Sequence, residues 1–454
     1  MKLSNNNKEI EFVWHGKTAA CELAGNSNSK KTSSDVFHSC LQKNKSVKWD
    51  KTENIYIEGD NLEALKLLQK DYKNRIKAIY IDPPYNTGKD FSYHDKFRHS
   101  DWCSMIYPRL MLAKELMSDD GVIFISIDDN EVCNLKNICE EVFGEENFIT
   151  QFIYEKTQHF GRQKLNTYSN AEYILCYAKS LYDEKLKELL VERVNTELTD
   201  APLYNASNNI TVLTFPSGTV KFNIKDGVYK RATEAKYQIL NEVVVSNGKN
   251  KNEFSLKFKS RWSQKKVIDE IKKGTSFWVK SENFAIRAVY GDGKSAKTAP
   301  KQIIFTNKTN KFCTTSRFGK QVTTNETASK ELKDLIESAN FSYPKPVSLI
   351  SYLLSLIYDY KKDRFDRDFI VLDFFSGSAT TAHAVMELNA LDGGSRKYIL
   401  VQQPELIDKS SEAYKQGYKN LCDLGEERIK QTIKKIKKDY PEAEFDDGFC
   451  VYKI

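Results

Sequence analysis

The sequence lacks the features that mark membrane proteins, secreted proteins and proteins stabilised by metals or disulfides. None of its 454 residues lies in an apolar run of about 18, so no membrane span is expected. The first residues, MKLSNNNKEIEF, contain no apolar signal core, and we expect a cytoplasmic protein. The nine cysteines form no CxxC pair and are not accompanied by a histidine cluster. Neither a structural metal site nor a disulfide framework is therefore predicted.

Acidic residues are scarce in the middle of the chain. The net charge is +7, but residues 155–320 contain 30 Lys and Arg against 16 Asp and Glu, so this block carries +14 and the remainder −7. A basic block of this kind favours a polyanionic partner, most simply nucleic acid. A lysine-rich solvated surface would give the same count.

The apolar pattern divides the chain into four parts. Residues 1–50 form a weakly patterned extension that includes the polar stretch AGNSNSKKTSS at 24–34. Residues 51–154 and 336–454 alternate short apolar strands with helices, which indicates βαβ units and a parallel sheet. Residues 155–335 contain short β-like runs among Lys, Asn, Gly and Thr, and we predict a separate basic insert there.

Some elements carry boundary signals. Leucines at helical spacing follow Asn61, which we expect to cap their helix. WCSMIYPRLMLAKELMSDDG (102–121) predicts a helix that ends at its glycine. VIFISID (122–128) predicts a strand buried on both faces of a parallel sheet. These elements predict an α/β fold.

The stretch AIYIDPPYNTG (78–88) ends an apolar strand on a carboxylate and continues into a stiff turn. Pro83 and Pro84 fix their own φ angles, and Pro83 also restricts Asp82 before it. Tyr85 adds an aromatic face. The same residues could form a simple strand-ending turn, but the rigidity favours a site of fixed geometry.

A second strand ends on a carboxylate in DFFSGSATT (373–381). The strand ends at Asp373, and Gly377 lets the turn approach a ligand at the start of the next helix. The turn has the glycine spacing of neither a dinucleotide-binding loop nor a Walker loop. By itself it fits either a ligand site or a tight structural turn.

Together, IDPPYNTG and LDFFSGSATTAHAV resemble the DNA amino-methyltransferases that use S-adenosylmethionine. Because the cofactor loop comes second and the basic insert lies between the motifs, the order resembles the circularly permuted β group. WDKTENIYIEGDNLEALKLLQKDY, PKPVSLISYLL, ILVQQPE and GFCVYKI are similar to modification subunits of Type III restriction–modification systems. The similarity covers residues 49–180 and 326–454 well, and the insert only loosely.

The resemblance implies an α/β, Rossmann-like methyltransferase with a mainly parallel sheet and an inserted mixed α/β target-recognition domain. Residues 51–154 would form the catalytic half, 155–335 the recognition domain and 336–454 the cofactor-binding half. The implied activity is methylation of the N6 amino group of adenine in a specific DNA sequence, with S-adenosylmethionine as donor and no metal.

An exocyclic amino group is a poor nucleophile because its lone pair is delocalised into the ring. Acceptors placed on its hydrogens localise that lone pair and aim it. The resemblance assigns these catalytic roles to Asp82 and to the carbonyl of Pro83, which Pro84 holds rigidly. Tyr85 offers a face on which a flipped base can stack.

The resemblance also implies a set of cofactor-binding residues from both halves: Asp60, Asn61, Lys345, Asp373, Phe374, Phe375, Gly377, Ser378, Thr380, Thr381, Gln402 and Glu405. Lys345 would lie beside the methionine portion, although a solvated lysine at a helix start explains it equally well. The choice among Gln402, Gln403 and Glu405 for the ribose stays open.

The sequence departs from the family pattern F-x-G-S-G-T-T at Ala379, which replaces glycine. This change harms cofactor binding only if the backbone there needs a positive φ or contacts the cofactor closely. Related Type III subunits continue past GFxVxK, whereas this sequence stops at Ile454. Functions located in that tail, such as subunit assembly, are not assumed.

The predicted partners are double-stranded DNA with a flipped target base, a second copy of the chain, and a restriction subunit with helicase and nuclease activity. Such a protein would associate with the bacterial nucleoid. Candidate DNA contacts in the basic block are Arg261, Trp262, Arg287 and Arg317.

Four alternatives remain. One is an orphan DNA methyltransferase, which would act without a restriction partner. Methylation of cytosine N4 uses the same chemistry and fold. A catalytically inactive DNA-binding homologue would account for Ala379, and RNA could replace DNA because a basic insert does not distinguish them. Cytosine-C5 methylation is not expected, since no cysteine follows a proline.

Overall fold

The computed structural model describes residues 12–25, 52–89, 94–159, 167–181, 188–195, 201–230, 235–290, 296–337, 341 and 343–454. Most of the predicted N-terminal extension, including 26–34 of its polar stretch, lies outside these residues. The chain forms two compact units. Unit 1 comprises residues 1–192 and 299–454, and unit 2 comprises residues 193–298.

The first part of unit 1 alternates strands and helices. Its elements are α1 (Lys17–Gly25), β1 (Ile55–Glu58), α2 (Asn61–Tyr72), β2 (Ile76–Ile81), α3 (His99–Leu116), β3 (Met117–Ile127), α4 (Val132–Phe143), a 3₁₀ turn (Glu145–Asn147), β4 (Phe148–Glu155) and β5 (Ala171–Ala178).

Unit 2 is built mainly from short strands. Its elements are β6 (Arg193–Asn195), β7 (Ala201–Pro202), β8 (Ile210–Phe215), β9 (Val220–Phe222), β10 (Gly227–Tyr229), β11 (Gln238–Ile239), β12 (Val243–Ser246), β13 (Lys249–Asn250), β14 (Phe254–Lys259), α5 (Gln264–Lys272), β15 (Ser276–Val279), β16 (Ile286–Val289) and β17 (Ala296–Thr298). They form a seven-stranded sheet (β10-β12-β13-β9-β15-β16-β7), a three-stranded sheet (β11-β14-β8) and the pair β17-β6.

The chain then returns to unit 1. The remaining elements are β18 (Ile303–Ile304), α6 (Asn325–Leu335), α7 (Val347–Ser355), β19 (Tyr358–Asp359), β20 (Arg364–Phe365), β21 (Ile370–Asp373), α8 (Thr380–Asp392), β22 (Lys397–Gln402), α9 (Glu412–Lys415), α10 (Leu421–Asp439) and β23 (Cys450–Lys453).

Unit 1 is organised around a nine-stranded sheet in the order β18-β4-β5-β3-β2-β21-β22-β1-β23. Every neighbouring pair is parallel except the two that involve β5. Strands β2 and β21 are adjacent, so the two motif-bearing strands are neighbours despite their distance in sequence. Among the described residues, no helix is both long enough and apolar enough to cross a membrane.

Two hydrophobic layers cover the two faces of this sheet. Ala78 and Tyr80 of β2 pack into one layer, whereas Ile79 and Ile81 pack into the other, as the alternation of side chains along a strand requires. Helices α7, α8 and α10 contribute to the first layer and α2, α3 and α4 to the second. Because Ile79 is completely buried, its truncation to alanine would cost about 2–5 kcal/mol.

Two element boundaries differ from those predicted. The helix expected over 102–121 covers His99–Leu116, and the next strand begins at Met117 because that residue pairs with Ile76 of β2. The apolar residues keep helical spacing up to Met117, so the sequence does not show where the helix ends and the strand begins. The helix after β1 is capped by Asp60 rather than Asn61: its Oδ1 atom accepts hydrogen bonds from the backbone N–H groups of Leu62 (2.9 Å) and Glu63 (3.1 Å).

The compact insert is narrower than the predicted range of 155–335. Strand β5 pairs with β3 and β4, and β18 pairs with β4, so both flanks of that range belong to the large sheet. Unit 2 itself contains 19 Lys and Arg against 10 Asp and Glu, and so keeps most of the basic excess.

Candidate active site

Four adjacent strands, β2, β21, β22 and β1, end at one edge of the sheet of unit 1, where parallel sheets bind ligands. A cavity of about 350 Å³ lies at this edge. The predicted residues that line it are Asn61, Asp82, Pro84, Lys345, Asp373, Phe374, Phe375, Gly377, Ser378, Thr380, Thr381, Gln402 and Glu405. Asp60, Pro83 and Tyr85 lie beside the cavity but do not line it.

The turn after β2 is fixed by hydrogen bonds. The indole N–H of Trp102 donates to the carbonyl of Pro84 at 2.8 Å. Asp95 accepts hydrogen bonds from the backbone N–H groups of Asn86 (2.7 Å) and Thr87 (3.1 Å). Among the described residues, none donates to the carbonyl of Pro83. That carbonyl is thus rigidly placed and available to accept a hydrogen bond from a ligand.

Asp82 is paired with a buried lysine, and both residues line the cavity. The Nζ atom of Lys345 lies 3.0 Å from Oδ1 of Asp82 and 3.4 Å from Oε1 of Glu172. The same ammonium lies 4.8 Å from the ring centre of Tyr85. The ammonium of Lys345 thus pairs with the carboxylate of Asp82, and Lys345 also lines the cavity. Its position beside the methionine portion of the cofactor, which the resemblance implies, stays a prediction.

The loop after β21 is closed by Asp373. Its Oδ1 atom accepts a hydrogen bond from the backbone N–H of Phe375 (3.1 Å), and its Oδ2 atom accepts one from the hydroxyl of Thr381 (2.5 Å). Burial raises the pKa of Asp373 to about 7, although both hydrogen bonds act in the opposite direction. One carboxyl group therefore joins the end of the strand to the first turn of the next helix.

The loop contains two residues with left-handed backbone. Gly377 has φ 51°, and a Cβ atom there would lie 3.1 Å from the ring of Phe341. Ala379 has φ 61° and ψ 37° and is completely buried. A left-handed conformation costs a residue with a Cβ atom about 1–2 kcal/mol, so the position where the family has glycine is strained here.

Comparison with known proteins identifies the family. Residues 76–405 match the model of a family described as DNA methylase. This chain belongs to the DNA methylase family. The family, the α/β methyltransferase fold and S-adenosylmethionine as the family's methyl donor, all predicted from the sequence, are confirmed.

Individual relatives of this methylase support the assignment. The chain is 31% identical to the Type III restriction-modification enzyme StyLTI Mod subunit of Salmonella typhimurium, over 98% of this chain and 66% of that protein. It is 31% identical to the EcoPI Mod subunit of Escherichia phage P1, over 93% of this chain and 68% of that one. It is also 31% identical to the Type II methyltransferase M.KpnI of Klebsiella pneumoniae, over 83% of this chain and 87% of that enzyme. The chain thus spans about two thirds of the length of the two Mod subunits.

A buried arginine of this methylase holds the loop of residues 373–381. The Nη1 atom of Arg428, in α10, donates to the hydroxyl oxygens of Ser378 and Thr380, both at 2.7 Å. Arg428 is only 1% exposed, and burial lowers its pKa to about 10. Sequence reasoning missed this residue because it lies in a lysine-rich amphipathic helix far from either motif.

The start of α2 is joined to the second motif and to α3. The side-chain amide of Asn61 donates to the carbonyl of Phe374 at 2.7 Å, and its Oδ1 atom accepts from Nε of Arg109 at 2.5 Å. Arg109 also reaches Oδ2 of Asp60 at 3.3 Å. Arg109 lines the cavity and was not predicted from the sequence.

The end of β22 offers three polar residues, all of which line the cavity. Oε1 of Gln402 accepts a hydrogen bond from the backbone N–H of Gly377 at 2.7 Å, so this side chain holds the loop. Burial raises the pKa of Glu405 to about 7. Of Gln402, Gln403 and Glu405, the last has a carboxyl group that is not used to hold the loop and can accept hydrogen bonds from hydroxyls.

Two of the predicted DNA contacts have structural roles. Trp262 is 7% exposed and packs in the core of unit 2. Arg317 belongs to unit 1, where its Nη2 atom lies 2.7 Å from Oδ2 of Asp392. Arg261 is exposed, and Arg287 is half-buried on β16.

Proposed function

We propose that the protein transfers a methyl group from S-adenosylmethionine to the N6 amino group of adenine in a specific DNA sequence. The observation that carries the proposal is the common cavity, in which Asp82 and the loop of residues 373–381 face each other at adjacent strand ends. Asp82 and the carbonyl of Pro83 would accept hydrogen bonds from the two amino N–H groups and so direct the nitrogen lone pair.

The residues of the cavity fit the proposed cofactor. Because Ser378 and Thr380 accept hydrogen bonds from Arg428, their own hydroxyl hydrogens are left to donate to an acceptor such as a carboxylate. Gly377 lets the backbone come close to a ligand, and Glu405 can accept from ribose hydroxyls. When bound, S-adenosylmethionine supplies a methyl group on a positively charged sulfur.

The protein would take the target base out of the duplex, because a stacked base cannot reach a cavity. Tyr85 would provide a face for the flipped base. Its ring lies beside Asp82 but contacts Lys345 rather than the cavity, so a small movement of the side chain is part of this proposal.

Unit 2 offers a surface for DNA. Lys249, Lys221, Trp278 and Arg287 lie directly opposite one another on four neighbouring strands, β13, β9, β15 and β16. Directly opposed residues share one face of a sheet, and the alternate residues of β9, β15 and β16 are buried in the core of unit 2. Lys221 and Lys249 are exposed, and Trp278 and Arg287 are half-buried. A row of cations around an aromatic ring fits phosphates and a stacked base.

The direct experiment incubates the purified protein with DNA and S-adenosylmethionine labelled in the methyl group. The DNA is then digested to nucleosides and analysed by mass spectrometry. N6-methyladenine is expected because of the resemblance to Type III modification subunits. N4-methylcytosine would overturn the adenine assignment but retain the chemistry.

A catalytically weak homologue is the second candidate, and the strained backbone of Ala379 favours it. Calorimetry with S-adenosylmethionine separates the two. Absence of binding at millimolar cofactor would favour a DNA-binding protein without methyl transfer.

The Mod relatives suggest the larger assembly. We propose that the protein acts in the bacterial cytoplasm as the modification component of a Type III-like system, as a homodimer that associates with a restriction subunit. Light scattering of the purified chain tests the dimer. Co-purification with the product of a neighbouring helicase-nuclease gene tests the association.

A further inference from the structure

Three segments that are distant in sequence meet behind Asp82. Lys345 precedes α7, Glu172 lies at the start of β5, and Asp82 follows β2. Because β5 runs antiparallel to β3, its first residues lie at the edge where the parallel strands end. We call Asp82, Glu172 and Lys345 the Asp82 cluster.

The Asp82 cluster is buried on one side and open on the other. The side chains of Lys345 and Glu172 are 7% and 2% exposed, whereas that of Asp82 is 26% exposed. Oδ1 of Asp82, the oxygen that faces Lys345, is buried. Oδ2 is therefore the oxygen left for a ligand in the cavity.

The charges in the Asp82 cluster do not cancel, since two carboxylates share one ammonium. Burial raises the pKa of Asp82, the charge of Lys345 opposes this effect, and the charge of Glu172 adds to it. Burial lowers the pKa of Lys345, but Asp82 and Glu172 more than compensate, so the ammonium stays charged. The other titratable groups that face Asp82 are Tyr80, Tyr85 and Asp373.

We propose that Lys345 and Glu172 are positioning residues that set the proton affinity of Asp82. Lys345 fixes Oδ1 and keeps the carboxylate ionised, so that Oδ2 accepts a hydrogen bond from the amino group of the target base. Glu172 pairs with the same ammonium. Its negative charge offsets part of the stabilisation that Lys345 gives to the ionised form of Asp82. This inference rests on the proposed methylation of an amino group.

The pH dependence of kcat/KM for DNA methylation tests the inference with Lys345→Met, Glu172→Gln and Lys345→Arg. Activity requires ionised Asp82, so a shift of the acidic limb between these variants reports a change in the proton affinity of that group. Lys345→Met should move the acidic limb upward by about one pH unit or more. Glu172→Gln should move it downward, and Lys345→Arg should leave it close to that of the wild type.

Lys77 provides a matched control. Its Nζ atom lies 2.7 Å from Oδ2 of Asp120, with side chains 7% and 24% exposed, but this pair does not line the cavity. Lys77→Met should therefore reduce stability without moving the acidic limb. If Lys345→Met and Glu172→Gln only lower kcat, or move the limb in the same direction, the inference is overturned.

A second measurement does not depend on activity. Relative to the wild type, the free energy of unfolding of Lys345→Met should fall as the pH rises from 4 to 8, because Asp82 then ionises without its partner. That of Glu172→Gln should rise over the same range. If the free energies of unfolding of both variants, relative to the wild type, change in the same direction as the pH rises, the inference is overturned. Failure of the proposed function would give a different result. The wild type would then yield no methylated base, while the stabilities of the two variants would still change with pH in opposite directions.

Discussion

Ala379 and Gly393 bracket helix α8 with almost the same left-handed backbone. Ala379, before the helix, has φ 61° and ψ 37°, and Gly393, after it, has φ 62° and ψ 32°. Only the glycine adopts this conformation without a steric cost. The two ends of one helix thus provide a strained position and an unstrained one of equal geometry.

Ala379→Gly should stabilise the protein by about 1 kcal/mol, since it removes the steric cost of the left-handed conformation. It should also tighten S-adenosylmethionine binding, because the loop no longer has to be held against strain. Chemical denaturation and calorimetry measure the two effects.

Gly393→Ala is the matched control for Ala379→Gly. A Cβ atom at Gly393 would meet no atom within 4 Å, so the substitution introduces backbone strain alone. It should destabilise the protein by about 1 kcal/mol and leave cofactor affinity unchanged. If Ala379→Gly and Gly393→Ala both stabilised the protein, the inference that the backbone of Ala379 is strained would be wrong.

Asp82→Asn should abolish most of the methyl transfer. An amide retains the shape of the carboxylate but accepts an amino hydrogen more weakly, and loss of one such acceptor lowers kcat about 100-fold or more. Binding of S-adenosylmethionine should change less than about 2-fold, because the proposed cofactor contacts lie elsewhere. Wild-type turnover by Asp82→Asn would remove Asp82 from the catalytic role.

Asp373→Asn should change how stability depends on pH. The pKa of Asp373 is raised from 3.8 to about 7, so the folded protein holds a proton there that the unfolded chain releases. This contribution to stability is complete below pH 4 and is lost as the pH rises to 7. Relative to the wild type, the free energy of unfolding of Asp373→Asn should gain about 1.4 kcal/mol per pH unit between pH 4 and 7.

The exposed Asp368, close to the same strand, supplies the control for this measurement. Asp368→Asn should give a curve parallel to that of the wild type in urea titrations at each pH. A parallel curve for Asp373→Asn as well would show that its carboxyl group ionises normally.

Arg428→Lys should weaken S-adenosylmethionine binding about 10-fold, the effect of losing roughly one hydrogen bond. A lysine presents a point charge and does not reproduce the planar geometry with which Arg428 meets the hydroxyls of Ser378 and Thr380. Arg396, also 1% exposed but bonded to Asp392, is the control. Arg396→Lys should lower stability and leave cofactor affinity unchanged; equal losses of affinity would contradict a specific role for Arg428.

The double substitution Lys221→Gln and Lys249→Gln should reduce DNA affinity and its dependence on salt. If both lysines contact phosphates, the slope of log K against log salt falls by about 2. Lys265→Gln with Lys272→Gln removes the same charge from exposed positions of α5 and should change the slope less. Identical slopes for the two pairs would show that only net charge matters.

The sequence predicted the elements whose signals are local. The strands that lead to Asp82 and Asp373 are indicated by apolar runs that end in a carboxylate. The narrower insert could not be predicted, because β18 contains only Ile303 and Ile304 and owes its position to pairing with β4.

The supporting residues of the site were beyond prediction for a related reason. Glu172 and Arg428 lie in an ordinary strand and an ordinary amphipathic helix, and their roles come from contacts with residues far away in sequence. The conformation of Ala379 is likewise set by the loop around it. The family pattern pointed to that position, but the residue type alone argues against a left-handed backbone.

The adjacency of β2 and β21 has a consequence for synthesis of the protein. The ribosome completes β2 at Ile81 and does not reach Ile370 until residues 82–369 have been made, an interval on the order of tens of seconds. Throughout that time, one edge of β2 has no neighbour, and apolar strand edges of this kind pair readily with other chains. The nascent chain is therefore open to aggregation until its second half emerges, and we expect its yield to depend on chaperones and translation speed more than its final stability would suggest.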